Sequence, residues 1–364
     1  MDTSFSPLRD IRVVDFSHVI AGPFSTFYLA QMGAEVLKIE NPNGGDVMRR
    51  SEGGAKAFLN INAGKRCVSI DVSTPAGRDE AMKHAAAADV FVDNLRPGVL
   101  EKHGLGFADV KAVNPRIVYC SISGYGRTGE WQERPAYDHI VQAITGMMML
   151  GGEEGSPPIK TGFPVVDAAA GIIAALAIVS ALRERDRTGE GMLLDVSMTS
   201  AALQLMYPFA CTALTEGTSP KRVGNQGYSG SPAADTFKTR DGWIALGANT
   251  PKQVISLLNV LGHGELASDP DVFNPPLDAS QPGTFARAAN SILFKERLQQ
   301  YVLEQNAAAL EEALNAANVP AAKVRTLGEF VSEGKANGGL STRCLREGDV
   351  SVVSPGLGFQ VLQR

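Results

Sequence analysis

Ile11-Arg-Val-Val-Asp-Phe16 and Glu35-Val-Leu-Lys-Ile-Glu40 are two short apolar runs rich in β-branched residues. Between them, residues 23–32 carry a helical pattern that opens just after Ala21-Gly22. Strand, helix and strand in this order mark a βαβ unit, whose crossover leaves the two strands parallel. The alternation continues, with a helical pattern over 75–84 and a strand over 89–93. A further strand is Arg116-Ile-Val-Tyr-Cys-Ser-Ile122. Strands spaced by helices of this length predict an α/β protein with a Rossmann-like parallel sheet covered on both faces. Right-handed crossovers bring the loops at the carboxyl ends of the strands into one crevice.

Further along, Asp167 opens a long apolar helix that runs to about Arg185, and Arg187-Thr-Gly189 supplies its stop. Being apolar on almost every side, this helix is expected to be central or to lie at an interface. Met192-Leu-Leu-Asp-Val-Ser197 reads as another strand, followed by a helix through Met206. The pattern changes after Pro220. A glycine loop at 224–230 is followed by an antiparallel hairpin of 235–238 and 242–246, then by helices over 252–261 and 290–316. The expected organisation is a large Rossmann-like domain over 1–215, completed by about 330–364, and a smaller α+β domain over 220–325.

Composition narrows the partners. A net charge of -5 argues against nucleic acid, which requires a basic face. A few local Lys and Arg residues still suffice for a small anionic ligand. Cys67, Cys120, Cys211 and Cys344 form no CxxC pair, so neither a disulfide framework nor a metal site is expected, and a reducing cytoplasm is. The first ten residues, MDTSFSPLRD, lack the apolar core of a signal peptide. The most apolar stretch, 168–182, is Ala/Gly-rich and shorter than a bilayer span, so no membrane partner is expected.

Two features carry possible chemistry. Gly124-Tyr-Gly126-Arg-Thr-Gly129 matches the dinucleotide fingerprint G-x-G-x-x-G, but Glu130-Trp-Gln-Glu-Arg-Pro135 follows it where a helix is required. A glycine-rich loop over the sheet edge is the better reading. Asp167, placed before an apolar helix, has two competing uses. It is a preferred N-cap residue. The same position also favours an ionised carboxylate through the helix dipole, which a carboxylate nucleophile needs. An N-cap already engaged in hydrogen bonds is a poorer nucleophile, and the residues alone leave the choice open.

Several blocks together resemble the family III coenzyme A transferases, which include formyl-CoA and carnitine CoA-transferases and are related to α-methylacyl-CoA racemase. They are Ile11-Arg-Val-Val-Asp-Phe-Ser-His-Val-Ile-Ala-Gly-Pro23, Met32-Gly-Ala-Glu-Val-Leu-Lys-Ile-Glu40, Gly64-Lys-Arg-Cys-Val-Ser-Ile-Asp71 and Asp93-Asn-Leu-Arg-Pro-Gly98. Ser121-Ile-Ser-Gly-Tyr-Gly126, Arg134-Pro-Ala-Tyr-Asp138 and Thr188-Gly-Glu-Gly191 complete the series, which runs from about residue 8 to residue 330. The resemblance makes Asp167, in Phe163-Pro-Val-Val-Asp167, the catalytic nucleophile that carries coenzyme A as an aspartyl thioester. Asp138 is a rival carboxylate expected in a loop. The resemblance implies coenzyme A contacts from His18, Val19, Lys38, Val68, Asn94, Leu95, Arg96 and Lys102, with Tyr137 and Met198 near the pantetheine. It makes Gly224, Gly227 and Gly230 a mobile glycine loop, a source of backbone N–H groups for an oxyanion.

The racemase relatives use a histidine where this chain has Tyr137, whose ordinary pKa is far from that of a neutral-pH base. Transfer of coenzyme A from an acyl-CoA donor to a carboxylic acid is therefore the implied activity, with racemisation at the α-carbon as the alternative. The formyl-CoA enzyme has a glutamine at the position of Ile20, so an acid larger or less polar than oxalate or formate is expected. Small dicarboxylic acids fit. No cofactor is permanently bound; the coenzyme A thioester is itself substrate. The family also implies an interlocked-ring homodimer.

Overall fold

The computed structural model describes residues 5–280 and 283–362. The chain divides into two units, one of residues 1–150, 158–220 and 341–364, the other of 151–157 and 221–340. The first contains β1 (Arg12–Asp15), α1 (Ala21–Gln31), β2 (Glu35–Glu40), α2 (Gly54–Asn62), β3 (Lys65–Ser69), α3 (Pro75–Ala86) and β4 (Val90–Asp93). It continues with α4 (Phe107–Val113), β5 (Val118–Ser123), α5 (Asp138–Ile144), α6 (Val165–Thr188), β6 (Met192–Ser197), α7 (Met198–Leu205) and α8 (Tyr207–Glu216). The six strands pair in parallel in the order β3-β2-β1-β4-β5-β6. The expected Rossmann-like sheet is present. Its strand order reverses between β1 and β4, and such a switch point opens a crevice at the carboxyl ends of the strands.

Strand periodicity builds a core on each face. Val13, Val36, Val92, Cys120 and Ile122 pack on one side with Leu29 of α1 and Ala174 and Ile178 of α6. Their neighbours Val14, Leu37, Phe91 and Tyr119 turn to the other side, with Ala81 and Ala85 of α3 and Val110 of α4. There the rings of Phe16, Phe91 and Tyr119 stack at 5.1 and 4.6 Å between centroids.

The apolar helix α6 has 24 residues and ends on Gly189 in the left-handed conformation, the stop the sequence supplies. It begins two residues before Asp167. By length and composition alone it is long and apolar enough to cross a membrane, which corrects the expectation that this stretch is too short. Half of its most apolar window is buried within the protein. Gly171 decides how closely α6 approaches α1: a Cβ there would stand 2.8 Å from the carbonyl oxygen of Ala21 and 3.0 Å from Cβ of Phe24.

In the second unit, β7 (Thr236–Lys238) and β8 (Trp243–Leu246) form the expected antiparallel hairpin. Helices α9 (Pro251–Val260), α10 (Ser291–Leu303) and α11 (Ala307–Ala316) follow, then β9 (Ala321–Lys323), which pairs antiparallel with β8, and α12 (Leu327–Ala336). The single helix expected over 290–316 is two helices, because the Asn306 side chain accepts from Ala309 N and caps a new one. Helix α12 also belongs here and not to the returning segment: Arg325 pairs with both Glu311 and Glu333. The return to the first unit begins at residue 341 and is a hairpin, β10 (Arg343–Glu347) with β11 (Val350–Ser354). It seats Leu345 against Phe27, Leu59 and Ala63.

Candidate active site

The loops leaving β1 and β4 meet at the switch point. Asn94 grips the backbone of His18 from both sides, its Oδ1 accepting from His18 N at 2.9 Å and its Nδ2 donating to His18 O at 2.7 Å. Gly22 is required where α1 starts, because a Cβ there would fall 2.2 Å from Cβ of Ser17. The crevice above this junction brings together His18, Val19, Asn94, Leu95, Arg96, Tyr137, Asp167 and Met198. Ile20, Ala21, Gln132 and Arg134 line it as well. A second cavity of about 300 Å³ shares His18 and Leu95 with it and is walled by Phe16, Ile39, Glu40, Asp46, Ile70 and His103.

The structure does not bring every residue that the resemblance implies into these two cavities. Lys38, expected to contact coenzyme A, lines neither cavity: its side chain is fully buried, donating to Ser17 O and paired with Asp46 at 3.1 Å. Val68 packs against the core on the α3 side and lines neither cavity. Lys102 is exposed on a short 3-10 turn, Glu101–His103, also outside both linings. The N–H groups of Gly224, Gly227 and Gly230, in the second unit, already donate to Gly152 O, Ala234 O and Gly227 O. They are not free donors for an oxyanion in this conformation.

Beneath the crevice lies a buried ionic layer. Asp15 ends β1 fully buried, 3.1 Å from Lys65 Nζ, and accepts from Ser17 N and Thr26 Oγ1. Burial opposes its ionisation, yet Lys65, Lys38 and the hydroxyls of Ser17 and Thr26 outweigh it and hold the carboxyl well below the usual range. Burial, partly offset by Asp15, brings Lys65 down to about 8. Burial also lowers the pKa of His18, against the pull of Asp46.

The competing uses of Asp167 are separated by a residue from another element. Asp167 stands in the first turn of α6, and the preceding cap residue, Pro164, makes no side-chain cap bond. Asp138 performs the capping instead. It is not in a loop but is the buried first residue of α5, and its Oδ2 accepts from Val166 N at 2.7 Å and Asp167 N at 3.0 Å. Gln142 Nε2 donates to its other oxygen and reaches Thr161 Oγ1. The cap is thus supplied across helices, and the Asp167 carboxylate stays available on the crevice wall. Burial first, and the neighbouring charge of Asp138 second, push the Asp167 carboxyl up to about 7. Tyr137 lines the same crevice, mostly exposed, while His139 lies outside the lining with its ring parallel to that of Tyr137 at 6.4 Å.

Asp46, Gln132 and Arg134 were not singled out from the sequence. Arg134 lay in plain view in the Arg-Pro-Ala-Tyr-Asp block, and its guanidinium sits 4.6 Å from the Trp131 ring centroid. Asp46 and Gln132 carry no local signal. No helix opens after Gly129; residues 130–133 are turns and 134 a bend, in keeping with the failed fingerprint.

A parallel sheet with its switch-point crevice, and a carboxylate freed at the head of a buried helix, define a class. The chain belongs to CoA-transferase family III, whose model matches residues 8–360. Among solved structures, a CaiB/BaiF family protein from Brucella suis is 30% identical with a TM-score of 0.83, over 99% of this chain and 93% of that one. Among curated proteins, the succinyl-CoA:glutarate CoA-transferase of Mus musculus is 36% identical over 73% of this chain and 62% of its own length. The succinate–glutarate CoA-transferase of Agrobacterium fabrum is 31% identical over 98% of this chain and 89% of its own. This chain thus spans about three-fifths of the mouse relative.

Proposed function

We propose that this protein transfers coenzyme A from an acyl-CoA to a small dicarboxylic acid, with Asp167 as covalent carrier. The observation that carries this reading is the Asp167 carboxylate on the crevice wall, relieved of capping by Asp138. A carboxylate oxygen of Asp167 attacks the donor thioester carbonyl, and loss of the coenzyme A thiolate gives a mixed anhydride. The thiolate then attacks the aspartyl carbonyl, releasing the donor as its carboxylate and leaving an aspartyl thioester. The acceptor carboxylate runs the two steps in reverse and restores Asp167. No net proton is exchanged, and the thioester energy stays on the protein.

Each tetrahedral intermediate needs donors. The start of α1, where Ile20 has no side-chain cap bond and Ala21 lines the crevice, is the source favoured over the glycine loop. The cavity shared through His18 and Leu95 is assigned to the nucleotide end of coenzyme A. Arg96 and Arg134 give the crevice its positive charge, suited to anionic substrates. Ile20 beside them favours an acid with carbon between its carboxyl groups over oxalate. The names of the mouse and Agrobacterium relatives support glutarate and succinate. Racemisation is disfavoured because Tyr137, not a histidine, lines the crevice that holds Asp167.

The exposed residues Ile172, Leu176 and Val179 on α6 support a homodimer, the second copy covering them. Four unpaired cysteines fit a cytoplasmic setting. The test is a panel of donors (succinyl-, acetyl- and glutaryl-CoA) against glutarate, succinate, mesaconate and oxalate, read by mass spectrometry in deuterated water. Acceptor-dependent acyl-CoA exchange without deuterium at the α-carbon is expected. Deuterium uptake with no acceptor present contradicts transfer.

A further inference from the structure

Val19 has φ 68°, inside the left-handed region that a β-branched residue rarely occupies. Strain of this kind persists only where the surroundings over-determine it. Here the surroundings are specific. Asp46 Oδ1 accepts from Val19 N at 3.2 Å and from Met48 N at 3.0 Å. Its other oxygen is buried without a hydrogen bond and faces the Lys38 ammonium at 3.1 Å. Lys38, fully buried, also donates to Ser17 O, and Asn94 clamps His18 between these points. The turn over 17–20 is therefore fixed at each residue up to Val19, on the wall that His18, Val19 and Ile20 present to the crevice.

We infer that Lys38 and Asp46 are positioning residues, an internal strut that holds the strained Val19 turn in the shape that receives an acyl-CoA, and that Lys38 makes no contact with its phosphates. This rests on the coenzyme A reading of the crevice. Nothing in the mutual pairing of Lys38 and Asp46 requires an ion pair for solubility or charge balance at the surface, since both side chains are out of solvent. Burying such a pair is costly, and a conformational duty is the return on that cost.

The strut makes a prediction that a merely stabilising ion pair does not. Glycine adopts positive φ freely, so V19G removes the strain that Asp46 opposes. Coenzyme A affinity is measured by calorimetry for the wild type, D46N, V19G and D46N/V19G, with thermal melting alongside and with dephospho-coenzyme A as second ligand. D46N is expected to weaken coenzyme A binding about tenfold in the wild-type background and less than twofold in the V19G background. The loss is expected to be equal for the dephospho ligand. A D46N protein that fails to fold and is restored by V19G supports the strut equally. The inference is overturned by no loss, by the same loss in both backgrounds, by a loss confined to the phosphorylated ligand, or by failure of V19G to restore an unfolded D46N. Wild-type protein that binds coenzyme A but transfers nothing would sink the transferase reading while leaving this cycle readable.

Discussion

Asp138→Asn separates the two things Asp138 does to Asp167. The substitution keeps an oxygen able to accept from Val166 N and Asp167 N, and it deletes the neighbouring negative charge. The Asp167 carboxyl is raised from 3.8 to about 7, with burial the larger cause and Asp138 the second. Removing the second cause lowers that pKa toward the ordinary carboxylate range, while burial still holds it above. The nucleophile reacts as the carboxylate, so a lower pKa means more reactive enzyme on the acidic side. The kcat/KM of the transfer reaction, which reports the free enzyme, is expected to rise through a midpoint near pH 7 in the wild type. In D138N the midpoint moves down. The new amide also meets a conflict. If its oxygen caps α6, its NH₂ faces the Gln142 Nε2 donor, and Gln142 cannot turn over because its Oε1 accepts from Thr161 N at 2.9 Å. That costs about 1–3 kcal/mol of stability. An unchanged or higher pH midpoint in D138N would mean that the Asp138 charge does not raise the Asp167 pKa.

Three further outcomes follow from the same geometry. D167N is expected to raise stability at pH 8, because the folded state holds the Asp167 proton up to about pH 7 and the unfolded chain releases it near 3.8. By linkage the wild type loses up to about 4 kcal/mol across that window, and the gain from D167N vanishes at pH 4, as paired melting curves will show. G171A puts a methyl group 2.8 Å from Ala21 O; the forced separation of α6 from α1 is expected to cost about 1–3 kcal/mol beyond the helix propensity gained, and to lower kcat. Leu176→Glu, on the exposed face of α6, is expected to convert a dimer to monomer in sedimentation velocity; an unchanged dimer places the interface elsewhere.

What was legible in the sequence was whatever periodicity controls. β2 and β6 fall at the residues read for them, and the switch from parallel sheet to hairpin after Pro220 is present. Lys65, Arg66 and Ser69 break the apolar pattern of β3, so periodicity does not mark it as a strand; in the fold it pairs in parallel with β2, with Lys65 buried against Asp15. The same blindness hid the site's supports. A lysine beside a strand end reads as a surface cation, and only the fold shows that Lys38 faces Asp46 inside. Asp167 was read as either cap or nucleophile because the residue that caps in its place, Asp138, comes from another helix and carries no local sign of that duty.

In the proposed reaction Asp167 itself carries coenzyme A. Wild-type protein incubated with succinyl-CoA and quenched with hydroxylamine, then digested and analysed by mass spectrometry, should show a hydroxamate on the peptide containing Asp167, and D167N should show none. Transfer activity in D167N, or wild-type turnover with the label on another residue or absent, would rule out Asp167 as the covalent carrier.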